Sequence, residues 1–381
     1  MTQPGFFDLS HRYETLDAKP DPLVALNKLI PWETFRPQLR AALETAGQRA
    51  APGSRKSAAG RKPWDEVLMF KVLVLQALYN LADDNVEYMI RDRLSFMRFL
   101  GLGLEHRVPD AKTVWLYREA LAQAGAAATL FDAFDAHLKQ NGYLAMGGQI
   151  VDATIVPVPK NRNTREENEA IKAGDMPKGW ENHPAKRRQK DRDARWTKKH
   201  GRSYYGYKNH VSIDRRHKFI RRYTVTDAAR HDSQELGAVL DPANTSRDVW
   251  ADSAYRSAEI EARLKEERFR SRIHRRARRN RGLSEREEQG NKTRSKIRAR
   301  VEHVFGHMVS AMGGKLVRTI GIARAKVKVG LSNLTYNRLV AKVCGLFPPL
   351  FRGAGPLCRA FQNGMNPASM FTSPAMIDVL V

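Results

Sequence analysis

Cysteine is nearly missing: the 381 residues contain two, Cys344 and Cys358. Their spacing fits neither a metal site nor a disulfide framework, and so low a count suits a reducing cytoplasm. Long apolar runs are missing as well. No stretch of about eighteen consecutive apolar residues occurs, so no bilayer-spanning helix is expected. The N-terminal MTQPGFFDLSHRYE has neither the basic start nor the apolar stretch of a secretory leader. Acidic residues are scarce beside basic ones: 41 Asp and Glu face 66 Lys and Arg, a net charge of +25. That imbalance points to a polyanionic partner, nucleic acid first and an anionic membrane surface second. No internal repeat is present, and the length accommodates two or three domains.

Residues 1–140 read as an all-α region. PWETFRPQL around Trp32 opens a helix, and Arg49 to Lys62 reads as a linker of Gly, Ala and bases. From Pro63, taken as a first-turn residue, Val67, Phe70, Leu73, Val74, Ala77 and Leu78 recur at helical spacing. Further helices are expected over Asp83 to Leu100, stopped by Gly101 and Gly103, after a cap at Asp110, and across Leu130 to Leu138. Short helices with bases between them suit a helix-turn-helix DNA-binding unit or an ordinary bundle. The global charge favours the first.

The centre of the chain is Gly147 to Lys160, GGQIVDATIVPVPK, a β-branched run bounded by Gly and Pro that reads as one buried strand. Asp152 sits inside it. A carboxylate there is costly to bury without a partner, and a metal ion or a set of backbone amides would each serve. Beyond it, Lys160 to Arg202 holds fourteen Lys or Arg against seven Asp or Glu. Gly174, Pro177, Gly179 and Pro184 break it up, so it reads as an exposed insertion, partly disordered when free. Trp180, Trp196 and Tyr204, Tyr205 and Tyr207 lie among the charges, either to stack on nucleic acid or to anchor the insertion.

Strand signals resume with YKNHVSID, a basic turn and FIRRYTVT, an antiparallel hairpin. A helix start at His231, a short strand in DVWADSAY that ends at Asp252 and a charged helix over Ser257 to Glu267 follow, which suggests a mixed α/β sheet. Residues 270–300 hold thirteen Lys or Arg against three Glu. Within this run RNRGLSEREEQGN reads as a loop and Thr293 to Met312 as a long helix. Its apolar face is Ile297, Val301, Val304, Phe305, Met308 and Met312, bordered by Glu302, with Arg298 one turn earlier. His303 and His307 fall off that face. Lys315 to Lys328 alternates bases with β-branched residues, Leu331 to Leu346 reads as an amphipathic helix, and 346–381 as a loose tail.

Three acids stand out by context: Asp152 in a core strand, Asp252 at a strand end and Glu302 at the rim of a helix face. Such a set can hold one or two hard divalent cations through oxygen and so run phosphoryl transfer. There are rivals. Asp214 suits a turn. Asp227 follows a strand much as Asp252 does and ranks only slightly below it. Asp232 suits a helix cap. The His303 and His307 pair has a zinc-compatible i, i+4 spacing without a zinc-protease pattern. His231 reads as a helix-start residue.

The segments QIVDATIVPVPK, GYKNHVSID, VTDAARHDS, DVWADSAYRS and RARVEHVFGHM, in this order over roughly residues 60 to 345, resemble the insertion-sequence transposases of the DDE type, most like the insertion sequence 5 group. The resemblance implies an α/β ribonuclease H-like catalytic domain over 145–345, with the basic insertion 160–202. It implies Asp152, Asp252 and Glu302 as catalytic and metal-binding acids for Mg²⁺, with Mn²⁺ as substitute. It also implies a helical N-terminal region, 1–140, that binds terminal inverted repeats. The partners implied are transposon-end DNA, target DNA and a second copy of the chain on DNA, in the cytoplasm at the nucleoid. Broader relatives place a Tyr, an Arg, the Glu and a Lys in one helix. Arg298 matches, while Ser295 stands at the tyrosine position and Val309 at the lysine position. The expected DNA contacts are Arg298, Arg187, Arg188, Lys198, Lys199, Arg275, Arg276, Arg278 and Arg279. A repeat-binding protein without catalysis and a metal-dependent nuclease on the same fold are the alternatives.

Overall fold

Several helices here start at a side chain that satisfies the first free N–H groups. The structure, a computed structural model, describes residues 8–18, 21–47, 62–161, 163–277, 281–314 and 316–343. Most of the expected linker, both cysteines, Arg278, Arg279, Lys315 and the tail lie outside these residues. The first part is helical: α1 (Asp8–Asp17), α2 (Pro22–Leu29), a 3₁₀ turn at Trp32–Phe35, α3 (Arg36–Thr45), α4 (Glu66–Tyr79), α5 (Asp83–Asp92), α6 (Leu94–Leu100), α7 (Ala111–Gln123) and α8 (Ala126–Gln140). Asp65 caps α4 by accepting from Val67 and Leu68 N–H, and Asp110 caps α7 by accepting from Thr113 N–H. Pro63 therefore stands outside α4 instead of in its first turn. Gly101 ends α6 in the left-handed region at φ 75°, a conformation glycine adopts without a Cβ clash. α4 is buried nearly all round, adding Met69, Val72 and Leu75 to the anticipated face. Each such side chain contributes roughly 1.5–3 kcal/mol by leaving water.

The second part alternates: β1 (Gln149–Pro157), α9 (Arg165–Ala173), α10 (Pro184–Gln189), β2 (Arg195–Lys199), β3 (Arg202–Asp214), β4 (Ile220–Asp227), α11 (Leu236–Val239), β5 (Asp248–Trp250), α12 (Ala258–Glu266), β6 (Arg270–Ser271), α13 (Glu285–Ser310) and α14 (Ile322–Val343). The sheet runs β2-β3-β1-β5-β6, with β4 also paired to β3. β1 is antiparallel to β3 and parallel to β5, so the sheet is mixed, as anticipated. Ile150 belongs to a core shared with the helices and α13, whereas Val151 belongs to a second core with Val239, Val249, Tyr255 and Leu264. A strand covered on both faces reads as a continuous apolar run. Asp152, two residues from Ile150, shares the first face.

Four expectations needed correction. The stretch 160–202 is not devoid of regular elements: Thr164 and Glu167 form a capping box on α9, Gly174 closes that helix at φ 89°, and Pro184 opens α10. The Gly and Pro residues delimit elements there instead of preventing them. Trp180 is buried with its indole N–H on Glu167, and the Tyr207 hydroxyl sits on Asp191, so these rings anchor the segment; Trp196 is 44% exposed. α13 begins at Glu285, not Thr293, because Ser284 and Glu287 form a second capping box. The strand expected to end at Asp252 stops at Trp250. α14 begins at Ile322, and its buried polar residues make it more than amphipathic. Asn333 bonds Asn209, Asn337 bonds both backbone groups of Ile220, and Arg338 lies 4.6–5.6 Å from the ring centres of Trp32, Phe35, Phe70 and Phe134. Burial pushes the Arg338 pKa down to about 9.

Candidate active site

The parallel ladder of β1 and β5 pairs Gln149 with Val249 and Ile150 with Trp250. The ladder ends at Trp250, two residues before Asp252, and the charge of Asp252 still reaches Asp152. His274 N–H donates to Ala251 O at 3.2 Å and keeps the chain extended up to this point. Asp252 then caps the 3₁₀ turn Ser253–Tyr255, accepting from Ala254 N–H at 2.8 Å.

The third acid comes from α13. Val301, Val304, Phe305 and Met308 bury one side of this helix, with Ile297 packed beside them. That orientation turns Arg298 toward β1. Its Nη1 donates to Asp152 Oδ2 at 2.7 Å and its Nη2 to Glu302 Oε1 at 3.0 Å, so one guanidinium links the strand acid to the helix acid. Asp152 keeps 14% of its side-chain exposure and Arg298 24%, whereas Glu302 is 61% exposed. The expectation that Glu302 borders the buried face is therefore corrected. Arg298 fills the rim, and Glu302 reaches outward beyond it.

Burial pushes the Asp152 carboxyl up to about 6. The Arg298 charge and the Ala153 N–H on Oδ1 pull it down, Asp252 pushes it up, and Lys199 pulls it down. Tyr255, in the second core, is held well above the ordinary phenol range by burial and by Asp152, Asp232 and Asp252. His274 is kept below the usual imidazole range, first by burial and then by Arg298, and its Nε2 lies 3.2 Å from Ser295 Oγ. Sequence reasoning missed both residues. His274 is one of many polar positions in a basic run, and only the β5–β6 pairing brings it beside Asp252.

The rivals resolve as structural groups. Asp214 is fully buried against Arg221 at 2.8 Å. Asp227 accepts from Ala229 and Arg230 N–H in a turn. Asp232 pairs with Lys208 at 2.8 Å. His231 accepts from Ser233 N–H as a cap. His307 packs edge-on against Tyr336 at 5.7 Å, so it faces protein instead of solvent or DNA.

The bases separate into groups. Lys198 and Lys199 are exposed at the end of β2, where the charge of Lys199 reaches Asp152. Arg275 and Arg276 are exposed after β6; Arg275 N–H donates to Asn291 Oδ1 and so lies beside α13. Arg187 and Arg188 are exposed on α10, and no hydrogen bond or ion pair ties them to the acids among the described residues.

As they stand, the three acids are not a ready-made cage. Among the described residues no group of three or more His, Cys, Asp or Glu side chains converges to hold a metal ion. Arg298 links Asp152 and Glu302 by donating to both. The donor chemistry nevertheless fits a hard cation. Asp152 and Asp252 offer only carboxylate oxygen, the donor type that hard divalent cations take.

Comparison with known proteins finds two matching families. The family model described as "Transposase DDE domain" matches residues 144–338, and one described as "Transposase domain (DUF772)" matches residues 11–120. A solved structure, "Cryo-EM structure of piggyBac transposase synaptic complex with hairpin DNA", is 13% identical over 94% of this chain and 84% of that one, with a TM-score of 0.44. A likeness that loose carries no fold assignment. The two family matches cover both the helical region and the sheet that bears the acids, and the chain belongs to the DDE transposase family.

Proposed function

We propose that this transposase cuts DNA at the terminal inverted repeats of its element and joins the freed 3′ ends to target DNA. The observation that carries the proposal is that Asp152, on β1, feels the charge of Asp252, two residues past the parallel strand β5, with Glu302 tied to Asp152 through Arg298. In the first step a water oxygen bonds to the phosphorus at the element's end and the P–O3′ bond breaks, leaving a 3′-hydroxyl. In the second step that hydroxyl oxygen attacks a target phosphodiester and displaces a target 3′-oxygen.

Asp152, Asp252 and Glu302 would hold Mg²⁺, or Mn²⁺ in its place. When bound, the ion supplies Lewis-acid activation of the attacking oxygen and neutralises charge at the phosphate. The remaining work falls to side chains. Lys199, whose charge reaches Asp152, its neighbour Lys198, and Arg275 and Arg276 would supply positive charge suited to a DNA backbone, together with Arg278 and Arg279, which follow them in the sequence, and Arg187 and Arg188. Such contacts make binding fall steeply with salt. A ribonuclease H-like sheet is supported by three antiparallel strands followed by two parallel ones, with Asp152 on β1 and Asp252 two residues past β5. On this reading 1–140 binds the repeats, 145–345 is catalytic, 346–381 is a tail, and two copies act together because two ends must be cut.

The test uses a labelled duplex from the element's own edge. A metal-dependent nick at the repeat end, lost in Asp152→Asn and Glu302→Gln while DNA binding persists, supports the proposal. Retained nicking in either variant removes that acid from the mechanism. With pre-cut ends, product joining the 3′ end to target DNA separates a transposase from a nuclease that only hydrolyses.

A further inference from the structure

Arg298 is bound in a way that a plain phosphate contact does not require. Its two terminal nitrogens are both committed to acids of the site, Asp152 at 2.7 Å and Glu302 at 3.0 Å. Its third nitrogen, Nε, is buried with no hydrogen-bond partner among the described residues. The side chain therefore sits where it satisfies the carboxylates and leaves part of itself unsatisfied. It spans an inner acid and an outer acid, and it fills the gap that a shared cation would need.

From this we infer that Arg298 is the resident cation of the DNA-free site, a placeholder that a divalent ion and a DNA phosphate displace together. This deepens the catalytic reading above and rests on it. Without DNA, a divalent ion competes with a guanidinium already bound to two of its three ligands, so its affinity is low. A backbone phosphate offers Arg298 an alternative anion, and guanidinium pairs with phosphate as well as with carboxylate. Once Arg298 turns to phosphate, Asp152 and Glu302 are free and Nε gains a possible acceptor. Metal loading is thereby coupled to DNA, and by reciprocity the metal strengthens DNA binding by the same factor. The device keeps the cutting site unloaded until DNA arrives.

The experiment measures Mn²⁺ binding to the full-length protein at pH 8, by calorimetry and by the shift in thermal unfolding, with no reaction needed. Without DNA, Arg298→Gln should bind Mn²⁺ at least about tenfold tighter than wild type. A pre-cut duplex with a 3′-dideoxy end should tighten wild-type Mn²⁺ binding about tenfold or more and leave Arg298→Gln nearly unchanged. Equal or weaker metal binding by Arg298→Gln, or an equal DNA effect on both proteins, overturns the placeholder. Arg298→Lys, which keeps the charge but lacks the planar fork, gives the same comparison with an intermediate result if the glutamine variant misfolds. Asp152→Asn distinguishes the two levels of the argument. Unchanged Mn²⁺ binding in that variant sinks the assignment of the acids themselves, whereas lost binding combined with an indifferent Arg298→Gln sinks only the placeholder.

Discussion

Asp214–Arg221, between β3 and β4, and Asp152–Arg298, between β1 and α13, are both carboxylate–guanidinium pairs, and they are finished differently. At the first, Asp214 accepts from Arg221 Nε at 2.8 Å and from His217 N–H at 2.6 Å. Arg221 spends its other nitrogens on Asp135 at 2.9 Å and Tyr143 O at 2.8 Å, and the pair is 0% and 1% exposed. At the second, Asp152 has one backbone N–H and one guanidinium nitrogen, Arg298 Nε is unsatisfied, and the third member, Glu302, is 61% exposed. Saturation makes the first pair a joint between α8 and the β3–β4 hairpin. Under-satisfaction and an open side leave the second able to exchange partners, which is what a site that handles charged substrate needs.

The largest effect that tests this contrast is at the joint. Arg221→Met leaves Asp214 and Asp135 buried without their cation, and removing one member of a buried pair costs roughly 3–5 kcal/mol. Urea unfolding should show that loss. A change under about 1 kcal/mol would mean the joint is not the sealed structural pair described.

At the site the sign reverses. The folded carboxyl of Asp152 holds its proton up to about 6, above the usual value of 3.8. The folded state therefore binds more protons than the unfolded chain between about pH 4 and pH 6, and wild-type stability falls as pH rises through that window. Asp152→Asn has no such proton to lose. Its advantage over wild type should be near zero at pH 4 and grow to at most about 3 kcal/mol above pH 7, about 2 units at roughly 1.4 kcal/mol each. Thermal unfolding against pH reads it directly. An advantage that is flat with pH would show that Asp152 is as well compensated as Asp214.

Much of this contrast was visible in the residue order. An acid inside QIVDATIV marks β1, and the spacing of Val301, Val304, Phe305 and Met308 places Arg298 and Glu302 on one flank of α13. The Ser284 and Glu287 capping box was equally open to reading, but the glycine and charges of RNRGLSEREEQGN disguised it as a loop. What residue order does not contain is register. Asp227 ends β4 and Asp252 follows β5 by two residues, and residue order does not show that β5 is the strand paired parallel to β1. The aromatic residues of 160–202 were undecidable for a related reason. Whether Trp180 faces Glu167 or solvent depends on how α9 and α10 close over one another.

The most direct measurement compares Asp252→Asn with Asp227→Asn in the repeat-end nicking assay. Asp252→Asn should abolish the metal-dependent nick while still binding the duplex. Asp227→Asn, which alters only a turn, should keep the nick at a rate near that of wild type. Nicking that survives in Asp252→Asn and disappears in Asp227→Asn would contradict the site as built on the β1–β5 register.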